Sequence, residues 1–392
     1  MTETASAPPA APVFNRKNPF PAALTLNLKL NKPGSEKDTR HFILSLAGSG
    51  LSYTPGDSLG VFPRNSPELV DELITTLGLD PNAKVNDPKG QPTTFRETLL
   101  NNYTLNRANK KILTGLVERI EQGEQRNHLM ALLASDEELN KFVFTRDFVD
   151  VLKEFSEAKF TSPEGFLSQI NPIAPRLYSI ASSLQKHPNE VHLCIAIVRY
   201  DTHGRKKKGL CSGYFADHAE LNKNCIPVFI QESKSFRLPT DGARDIIMCG
   251  PGTGIAPFRA FLEQRVLDSA TGRNWLLFGD QRRALDFLYE EEFLGYQRQG
   301  KLQRLDLAFS RDQAEKVYVQ DRLRENGKEL WAWLQGGAYF YVCGDAKRMA
   351  KDVHDALIGI AQSQGGLTPE AAAEYINTTL MKTEKRYLRD VY

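Results

Sequence analysis

The sequence predicts a multidomain fold of β and α/β parts. An antiparallel β-barrel with a helical insert is followed by a five-stranded parallel α/β domain. Three observations predict it. Early segments such as ALTLNLKLN and TRHFILSLAG alternate apolar and polar residues with the period of a strand. From Ser66 to about Leu167 apolar residues recur at helical intervals, and after residue 240 short apolar runs such as DIIMCG alternate with helical segments.

The domain boundaries lie where these patterns change. Residues 1–20 are rich in Ala and Pro without periodicity, and we expect a flexible tail there. The barrel is predicted to comprise residues 21–65 and 168–236, the helical connecting insert residues 66–167, and the parallel α/β domain residues 240–392. The barrel strands return after the insert in PRLYSIASS, VHLCIAIVRY and IPVFIQES, and the segment DTHGRKKKG between the last two resembles a turn.

Helix starts within the insert can be located from capping residues. Ser66 precedes a proline, and Thr94 and Ser135 each have a glutamate three residues further on. A hydroxyl at such a position accepts a hydrogen bond from the free backbone N–H groups of the first helical turn. The predicted insert is therefore all-helical, with helices beginning after these three residues.

Composition argues against several classes of protein. Lys and Arg (50) nearly balance Asp and Glu (48), so the net charge of +2 gives no overall attraction to nucleic acid or an anionic membrane. No apolar run has the length of a membrane span, and the first residues lack the pattern of a signal peptide. The five cysteines form no CxxC pair, which disfavours a zinc site or a disulfide framework. We therefore expect a cytoplasmic protein with reduced thiols and no metal.

A glycine-rich segment, CGPGTGIAPFRAF, follows the first strand of the parallel domain. Ligands of parallel sheets bind beyond the carboxyl ends of the strands, where backbone N–H groups point at phosphate. Gly252 and Gly254 permit close approach of the backbone, and Thr253 adds a hydroxyl. The segment alone fits a tight turn without a ligand about equally well.

Two further strand ends carry polar residues. The segment FSRDQAEKVYVQ contains a hydroxyl, a guanidinium, an ammonium, an aromatic ring and an amide, from Ser310, Arg311, Lys316, Tyr318 and Gln320. This set suits a phosphate monoester beside a purine, a combination present in NADP and absent from NAD. A solvated surface loop is the alternative. The second of these strand ends is the segment VCGDAKRMAKD, which follows the fourth predicted strand of the parallel domain.

The barrel has a marker of its own in RLYSIASS. Arg176 suits a pyrophosphate, Tyr178 offers a ring for stacking and Ser179 a hydroxyl beside it. GLCSGY at residues 209–214 is a second turn of small residues. Either segment is also compatible with an ordinary strand or turn.

Together these segments resemble the FAD- and NADPH-binding half of the diflavin reductases, in the ferredoxin–NADP reductase superfamily, most closely the sulfite reductase branch. The likeness covers about residues 20–392 and includes the terminal RYLRDVY. It implies that the barrel binds FAD and the α/β domain binds NADPH. It also implies an NADPH-dependent flavoprotein reductase that passes electrons to a protein acceptor: a sulfite reductase haemoprotein, a flavodoxin or a ferredoxin.

The resemblance also implies roles for individual residues. The FAD contacts it implies are Thr104, Arg176, Leu177, Tyr178, Ser179, Tyr200, Gly209, Leu210, Cys211, Ser212 and Tyr392, the last covering the flavin face opposite Tyr178. The NADPH contacts it implies are Gly252, Thr253, Ser310, Arg311, Lys316, Tyr318, Gln320 and Asp352. Ser179, Cys343 and Asp390 are implied to line the position of hydride transfer.

The sequence departs from the family pattern in two places. Relatives of the sulfite reductase type carry an FMN-binding flavodoxin domain before the barrel, whereas only the Ala/Pro-rich tail stands here. We therefore expect no FMN, with electrons stopping at FAD or passing to a separate protein. The second departure is FGDQRRAL, where some relatives have a cysteine and an arginine after the glycine, so we expect Gln281 to contribute less charge. A rival function is a flavin-binding docking subunit without independent activity, with the basic run 205–208 facing an acidic partner.

Overall fold

The computed structural model describes residues 13–392. Of the predicted flexible tail, residues 1–20, the first 12 lie outside the described residues. Residues 13–19 contain neither helix nor strand, and two backbone hydrogen bonds between Asn15 and Asn18 (2.8 and 3.1 Å) close a turn there. Within the described chain, no helix is both long enough and apolar enough to cross a membrane.

The β-strands are numbered in chain order. Their bounds are β1 Phe20–Lys29, β2 Thr39–Ser45, β3 Ser58–Val61, β4 Lys84–Asn86, β5 Pro92–Thr94, β6 Arg176–Ser179, β7 Glu190–Ala196, β8 Arg199–Thr202, β9 Arg205–Lys208, β10 Asn224–Gln231, β11 Ile246–Cys249, β12 Asn274–Asp280, β13 Arg304–Phe309, β14 Tyr339–Gly344 and β15 Tyr387–Val391.

The helices are numbered in the same way. Their bounds are α1 Pro67–Leu77, α2 Phe95–Asn101, α3 Lys110–Val117, α4 Glu124–Leu133, α5 Asp136–Phe144, α6 Phe148–Glu154, α7 Pro163–Leu167, α8 Leu210–Gly213, α9 Ala256–Leu267, α10 Arg283–Asp286, α11 Glu290–Arg298, α12 Val319–Glu325, α13 Gly327–Gln335, α14 Met349–Gly365 and α15 Pro369–Glu374. A 3₁₀ helix spans Gly252–Ile255, and π-helical segments span Tyr214–His218 and Tyr375–Thr383.

The chain divides into two compact units. The larger contains the described residues up to Gly60, together with Leu177–Ile195 and Leu221–Tyr392. The smaller contains Val61–Arg176 and Ala196–Glu220. Both predicted sheets belong mainly to the larger unit, and the predicted insert belongs to the smaller one.

The antiparallel sheet has six strands in the order β6-β3-β10-β1-β2-β7. β1 pairs antiparallel with both β10 and β2, and its consecutive residues Ala22, Ala23 and Leu24 are all buried where the register of both pairings shifts. An isolated antiparallel bridge between Ile180 and Leu193 links the residue after β6 to β7 at the opposite edge. The ends of the sheet are thus joined by one bridge, without a continuous ladder.

The parallel sheet has five strands in the order β13-β12-β11-β14-β15. Its central strand β11 is completely buried, because apolar clusters cover both faces of the sheet, as in other parallel sheets. The terminal segment forms the fifth strand, which pairs in parallel with β14. The predicted fold class is confirmed in its antiparallel sheet and its five-stranded parallel domain, while the only closure of the predicted barrel among the described residues is the Ile180–Leu193 bridge.

The smaller unit has a helical core of its own, with edge-to-face contacts among Phe95, Phe148 and Phe166. The three predicted N-caps are confirmed, since the Ser66, Thr94 and Ser135 hydroxyls each accept from the backbone N–H three residues later. The prediction of an all-helical insert is wrong, because β4 and β5 pair within it. Asp87 stabilises that turn by accepting from Lys89 N and Gln91 N, both at 2.8 Å.

The segment DTHGRKKKG also differs from its prediction. It forms a complete β-hairpin of β8 and β9. His203 (φ 51°) and Gly204 (φ 70°) both have positive φ, as a type I′ hairpin turn requires.

Candidate functional site

The carboxyl edge of the parallel sheet collects most of the predicted site residues of the larger unit. Parallel pairing places Asp390 of β15 directly beside Cys343 of β14. The glycine loop follows β11 at the same edge, and Ser310 follows β13. The sheet therefore aligns four segments that are distant in sequence.

Ser179, Cys343 and Asp390 form a hydrogen-bonded cluster around one carboxylate oxygen. Ser179 Oγ donates to Asp390 Oδ2 at 2.6 Å, and Cys343 Sγ donates to the same oxygen at 3.8 Å. Burial, together with the negative charge of Asp390, raises the pKa of the Cys343 thiol well above its usual range. Cys343 therefore stays protonated at neutral pH, and Asp390 accepts from two neutral donors.

The glycine loop packs directly against the end of β14. A Cβ atom on Gly254 would lie 2.1 Å from the carbonyl oxygen of Cys343, so only glycine fits there. Gly252 adopts a positive φ of 56°. Thr253 Oγ1 lies 3.0 Å from the hydroxyl oxygen of Tyr392, so the last side chain of the sequence contacts this loop.

The predicted adenosine-phosphate residues lie in and around the segment after β13. Arg311 and Lys316 are exposed, and Ser310 is partly buried. Gln320 Nε2 donates to Asp352 Oδ2 at 3.3 Å, which brings those two predicted residues together. Arg311 Nη1 forms an ion pair with Glu36 at 2.6 Å, so this guanidinium already binds an oxyanion of the protein itself.

Sequence reasoning missed three charged residues at this edge: Glu36, Lys37 and Asp280. Lys37 Nζ donates to Asp280 Oδ1 at 2.6 Å. Asp280 ends β12, and burial raises its pKa while the charge of Lys37 opposes that shift. The only signal for Glu36 and Lys37 was a charged SEKD segment between two predicted strands, which is also typical of a solvated turn. Asp280 lies in the segment FGDQRRAL, at the end of a predicted parallel strand.

In the smaller unit, Tyr200 lies on the exposed face of β8 and Arg176 is exposed at the start of β6. Thr104 lies after α2, where its backbone N–H donates to Asn171 O at 2.9 Å and its hydroxyl donates to Pro172 O at 3.4 Å. These three positions leave polar or aromatic groups accessible to a ligand.

The segment Gly209–Ser212 forms the start of a helix and not the predicted turn, since α8 begins at Leu210. Cys211 and Ser212 are buried, and Ser212 Oγ accepts from Val198 N at 3.2 Å. A Cβ atom on Gly209 would lie 2.6 Å from Ser212 Oγ, so packing within the chain already requires this glycine. A ligand would therefore meet backbone groups here more readily than the Cys211 or Ser212 side chains.

The basic run 205–208 does not form a uniformly basic surface. Alternate residues of β9 turn towards carboxylates, because successive strand residues face opposite sides. Arg205 Nη1 pairs with Asp150 at 2.8 Å, and Lys207, which is buried, also pairs with Asp150. Lys208 Nζ pairs with Asp217 at 2.7 Å. The run is largely neutralised within the smaller unit, which removes the basis for the docking surface considered from sequence.

Within the described residues, His187, Glu190 and His192 have the spacing of metal ligands. Arg259 Nη1 lies 3.4 Å from His192 Nδ1, and a guanidinium can only donate, so this nitrogen accepts. The proton then resides on Nε2, which lies 3.2 Å from Glu190 Oε2. Both ring nitrogens are satisfied without a metal ion. Burial and the neighbouring His41 and Arg259 lower the pKa of His192 to about 2.

The residues present fit flat nucleotide ligands. Large side chains are exposed at four of the positions predicted to contact rings: Leu177 (52%), Tyr200 (40%), Tyr318 (44%) and Tyr392 (64%). At the carboxyl edge of the parallel sheet, Asp280 Oδ2 and Gln281 Oε1 are buried without a hydrogen-bond partner in the described chain. Exposed rings and unsatisfied polar atoms are typical of surfaces that a ligand completes.

The two sheets and the glycine loop agree with two family models, which together describe flavin- and nicotinamide-binding oxidoreductases. Residues 12–214 match the family described as FAD binding domain, and residues 231–355 match the oxidoreductase NAD-binding domain. The chain belongs to the FAD binding domain family. The resemblance to the FAD- and NADPH-binding half of the diflavin reductases is confirmed, and the two matches support FAD and NADPH as cofactors.

Particular relatives are sulfite reductase [NADPH] flavoprotein alpha-components. The Bacillus subtilis (strain 168) protein is 44% identical over 382 residues, which is 97% of this chain. The Mannheimia succiniciproducens protein is 43% identical over 379 residues, again 97% of this chain. The Escherichia coli O1:K1 protein is 44% identical over 381 residues. The chain spans 62% of the length of each of these relatives.

Proposed function

We propose that this chain is an NADPH-dependent flavoprotein reductase that binds FAD and passes electrons to a protein acceptor, a sulfite reductase haemoprotein. The observation that carries the proposal is the convergence of Ser179 and Cys343 on Asp390 Oδ2 at the carboxyl edge of the sheet. The names of its relatives support the choice of acceptor.

FAD, when bound, supplies the redox chemistry, since it accepts a hydride from NADPH and can release electrons singly. Ser179 directs its proton to Asp390, so its oxygen keeps lone pairs for an N–H donor of a ligand. Cys343 remains a neutral thiol and adds no second negative charge. Asp390 then provides one fixed carboxylate, which stabilises the positive charge that appears on an oxidised nicotinamide ring.

The remaining residues are proposed as cofactor contacts. In the larger unit, Leu177, Tyr178 and Ser179 bind the flavin ring, and Tyr392 covers its other face. In the smaller unit, Arg176 and the backbone of Gly209–Ser212 bind pyrophosphate, Tyr200 lies beside adenine and Thr104 contacts the flavin. Gly252, Thr253 and the charged segment after β13 bind NADPH, with Asp352 as a further contact.

We also propose a cytoplasmic location. None of the five cysteines, all of which lie in the described residues, forms a disulfide, and four of them are buried. Reduced thiols suit a reducing compartment.

The test combines cofactor content with acceptor specificity. Purified protein should be yellow, release FAD on denaturation, and reduce ferricyanide with NADPH faster than with NADH. Reduction of a sulfite reductase haemoprotein, a flavodoxin and a ferredoxin should then be measured side by side, with the haemoprotein the fastest. Colourless protein, or holoprotein inert towards ferricyanide, would instead indicate a docking subunit. Preference for ferredoxin or flavodoxin would overturn the proposed acceptor.

A further inference from the structure

Helix α9 connects the glycine loop to the segment that follows β6. The helix begins at Ala256, directly after the 3₁₀ helix Gly252–Ile255, and Arg259 lies in its first turn. Arg259 Nη1 donates to the backbone oxygen of Ala181 at 2.6 Å. Ala181 follows Ser179, the last residue of β6, by two positions. One side chain therefore joins the segment proposed to bind NADPH to the segment proposed to bind the flavin.

Two carboxylates hold the guanidinium of Arg259 in place. Its Nη2 pairs with Glu263 Oε1 at 3.0 Å, and its Nε pairs with Glu292 Oε2 at 2.9 Å. With the bond to Ala181, all three nitrogen atoms of the guanidinium have partners. The Arg259 side chain is 9% exposed and that of Glu263 is 0% exposed. Because a guanidinium is a rigid plane, these partners together fix its position.

Glu263 makes a second connection from α9 to the segment after β6. Its Oε2 accepts from the backbone N–H of Ser183 at 2.8 Å. Its Oε1 accepts from Lys186 Nζ at 3.1 Å and lies 3.0 Å from His187 Nε2. Burial opposes ionisation of Glu263, but the charge of Arg259 and the N–H of Ser183 outweigh it and lower the pKa of this carboxyl. The carboxylate is therefore ionised at neutral pH.

A second buried arginine of α9 makes different contacts. Arg265 Nε donates to Asn274 Oδ1 at 2.6 Å, and its Nη2 donates to the backbone oxygens of Gly272 at 2.7 Å and Arg244 at 3.0 Å. These three partners lie at or just before the starts of β11 and β12. Arg265 thus anchors α9 on the parallel sheet, whereas Arg259 anchors it on the segment after β6.

We propose that Arg259 and Glu263 are positioning residues for hydride transfer from NADPH to FAD. They fix Ser179 relative to the glycine loop, and so they set the separation at which the two cofactors meet. This inference rests on the proposed function, because it assumes that both cofactors bind at these segments. The pair acts through the backbone at Ala181 and Ser183. Loosening it should therefore slow the chemical step more than it weakens cofactor binding.

The test uses the FAD-loaded full chain at saturating NADPH, with and without deuterium at the transferred position. Arg259→Lys keeps the charge but loses the planar fork of donors. Stopped-flow flavin reduction should slow by about tenfold, less than the roughly 100-fold cost of a misplacement of about an ångström. The primary deuterium isotope effect should increase, because the chemical step then limits the rate. The Kd for NADP⁺, from calorimetric titration, should stay as in the wild type.

Arg265→Lys is the matched control, because it makes the same substitution at another buried arginine of the same helix. It should keep the wild-type rate of flavin reduction and the wild-type isotope effect. A lower unfolding temperature in both variants would report the loss of a buried arginine, and only the isotope effect should separate them.

A second variant and the choice of signal keep the result interpretable. Arg259→Lys disturbs two carboxylates at once and risks misfolding. Glu263→Gln removes one charge but keeps an oxygen that can accept from the Ser183 N–H, and it should slow reduction in the same direction by a smaller factor. Stopped flow follows flavin absorbance, so only protein that has retained FAD contributes to the measured rate.

An unchanged reduction rate and isotope effect in FAD-loaded Arg259→Lys and Glu263→Gln would overturn the positioning role. Equal changes in Arg265→Lys would overturn it as well. Wild-type protein that is reduced by NADPH would leave the proposed function standing in either case. Wild-type holoprotein that NADPH does not reduce would overturn the proposed function and this inference together.

Discussion

The two ends of the parallel sheet's carboxyl edge are built differently. At β14 and β15, Cys343 and Asp390 are fixed by strand register, and Ser179 adds a 2.6 Å hydrogen bond. Beyond β13, Arg311 is 41% exposed and its ion pair joins it to Glu36, which is 62% exposed. The hydrogen bonds of the first end are in place before a ligand binds, whereas a phosphate at the second end would have to displace Glu36 from Arg311. We therefore propose that chemistry that needs fixed distances takes place at the first end and that electrostatic selection between cofactors takes place at the second.

The largest effect should come from replacing Asp390, the residue that both Ser179 and Cys343 contact at the fixed end. Asp390→Ala removes the acceptor of both Ser179 and Cys343, and we expect kcat to fall by about 100-fold, the cost of misplacing reacting groups by about an ångström. Stopped-flow measurement of flavin reduction by NADPH would test this. Asp390→Asn, which can still accept from Ser179, should lose less. Release of FAD from either variant would assign Asp390 a structural role.

At the exposed end, Arg311→Ala and Lys316→Ala should each raise KM for NADPH by about tenfold, because each removes a hydrogen bond to a charged phosphate. KM for NADH should stay unchanged, and so should kcat with either cofactor. Arg324→Ala, an exposed arginine that pairs with Asp321 at 3.0 Å, is a matched control. Equal increases in KM for NADPH and NADH would contradict a 2′-phosphate site, and the exposed end would then not be the source of cofactor preference.

Tyr392 belongs to the fixed end but exposes most of its surface, so it sharpens the comparison. We propose that its ring blocks the nicotinamide position and must move before hydride transfer. Tyr392→Ala should tighten NADP⁺ binding by about threefold, as for a site otherwise blocked two thirds of the time, and should alter the flavin absorption spectrum. The use of NADH relative to NADPH should improve.

Tyr392→Phe keeps the ring but removes the contact with Thr253 Oγ1. It should therefore retain the spectrum and affinity of the wild type. If Tyr392→Ala behaves as wild type in spectrum, NADP⁺ affinity and cofactor preference, the stacking role is wrong.

The smallest effect should come from removing the anion that occupies Arg311. Glu36→Gln should lower KM for NADPH by about twofold, because exposed ion pairs contribute only about 0.2–1 kcal/mol. KM for NADH should not change. Steady-state kinetics at low ionic strength would detect the difference, with Glu315→Gln as a control from the segment after β13. A rise in KM for NADPH would show that Glu36 assists binding.

The sequence predicted those parts of the site that follow from local patterns. Apolar runs located the parallel strands, and glycine and phosphate-binding residue types at their ends located Thr253 and Arg311. The Ser179–Asp390 bond joins residues 211 positions apart, and only family resemblance placed them together. Lys37 and Asp280 are 243 positions apart, and no local pattern marks either as a partner of the other.

The β8–β9 hairpin was missed for a related reason. Four consecutive basic residues have low strand propensity and suggest a solvated loop. In the fold, Asp147 and Asp150 of the insert neutralise two of them, and the side-chain alternation of a strand makes that possible. Ion pairs with residues distant in sequence thus stabilise a strand that the local sequence disfavours. Local sequence patterns do not reveal such pairs.

The contact between Gly254 and the Cys343 carbonyl bears on how cofactor preference could evolve. There is no room for a methyl group at this contact, which joins the glycine loop to the backbone of Cys343. We therefore expect most substitutions of Gly254 to reduce both turnover and cofactor binding. Residues 311–316, by contrast, are all exposed. In a library of variants selected for activity with NADH, substitutions should therefore accumulate in that segment while Gly254 is retained. The hydride-transfer step would then stay intact while the preferred nicotinamide cofactor changes.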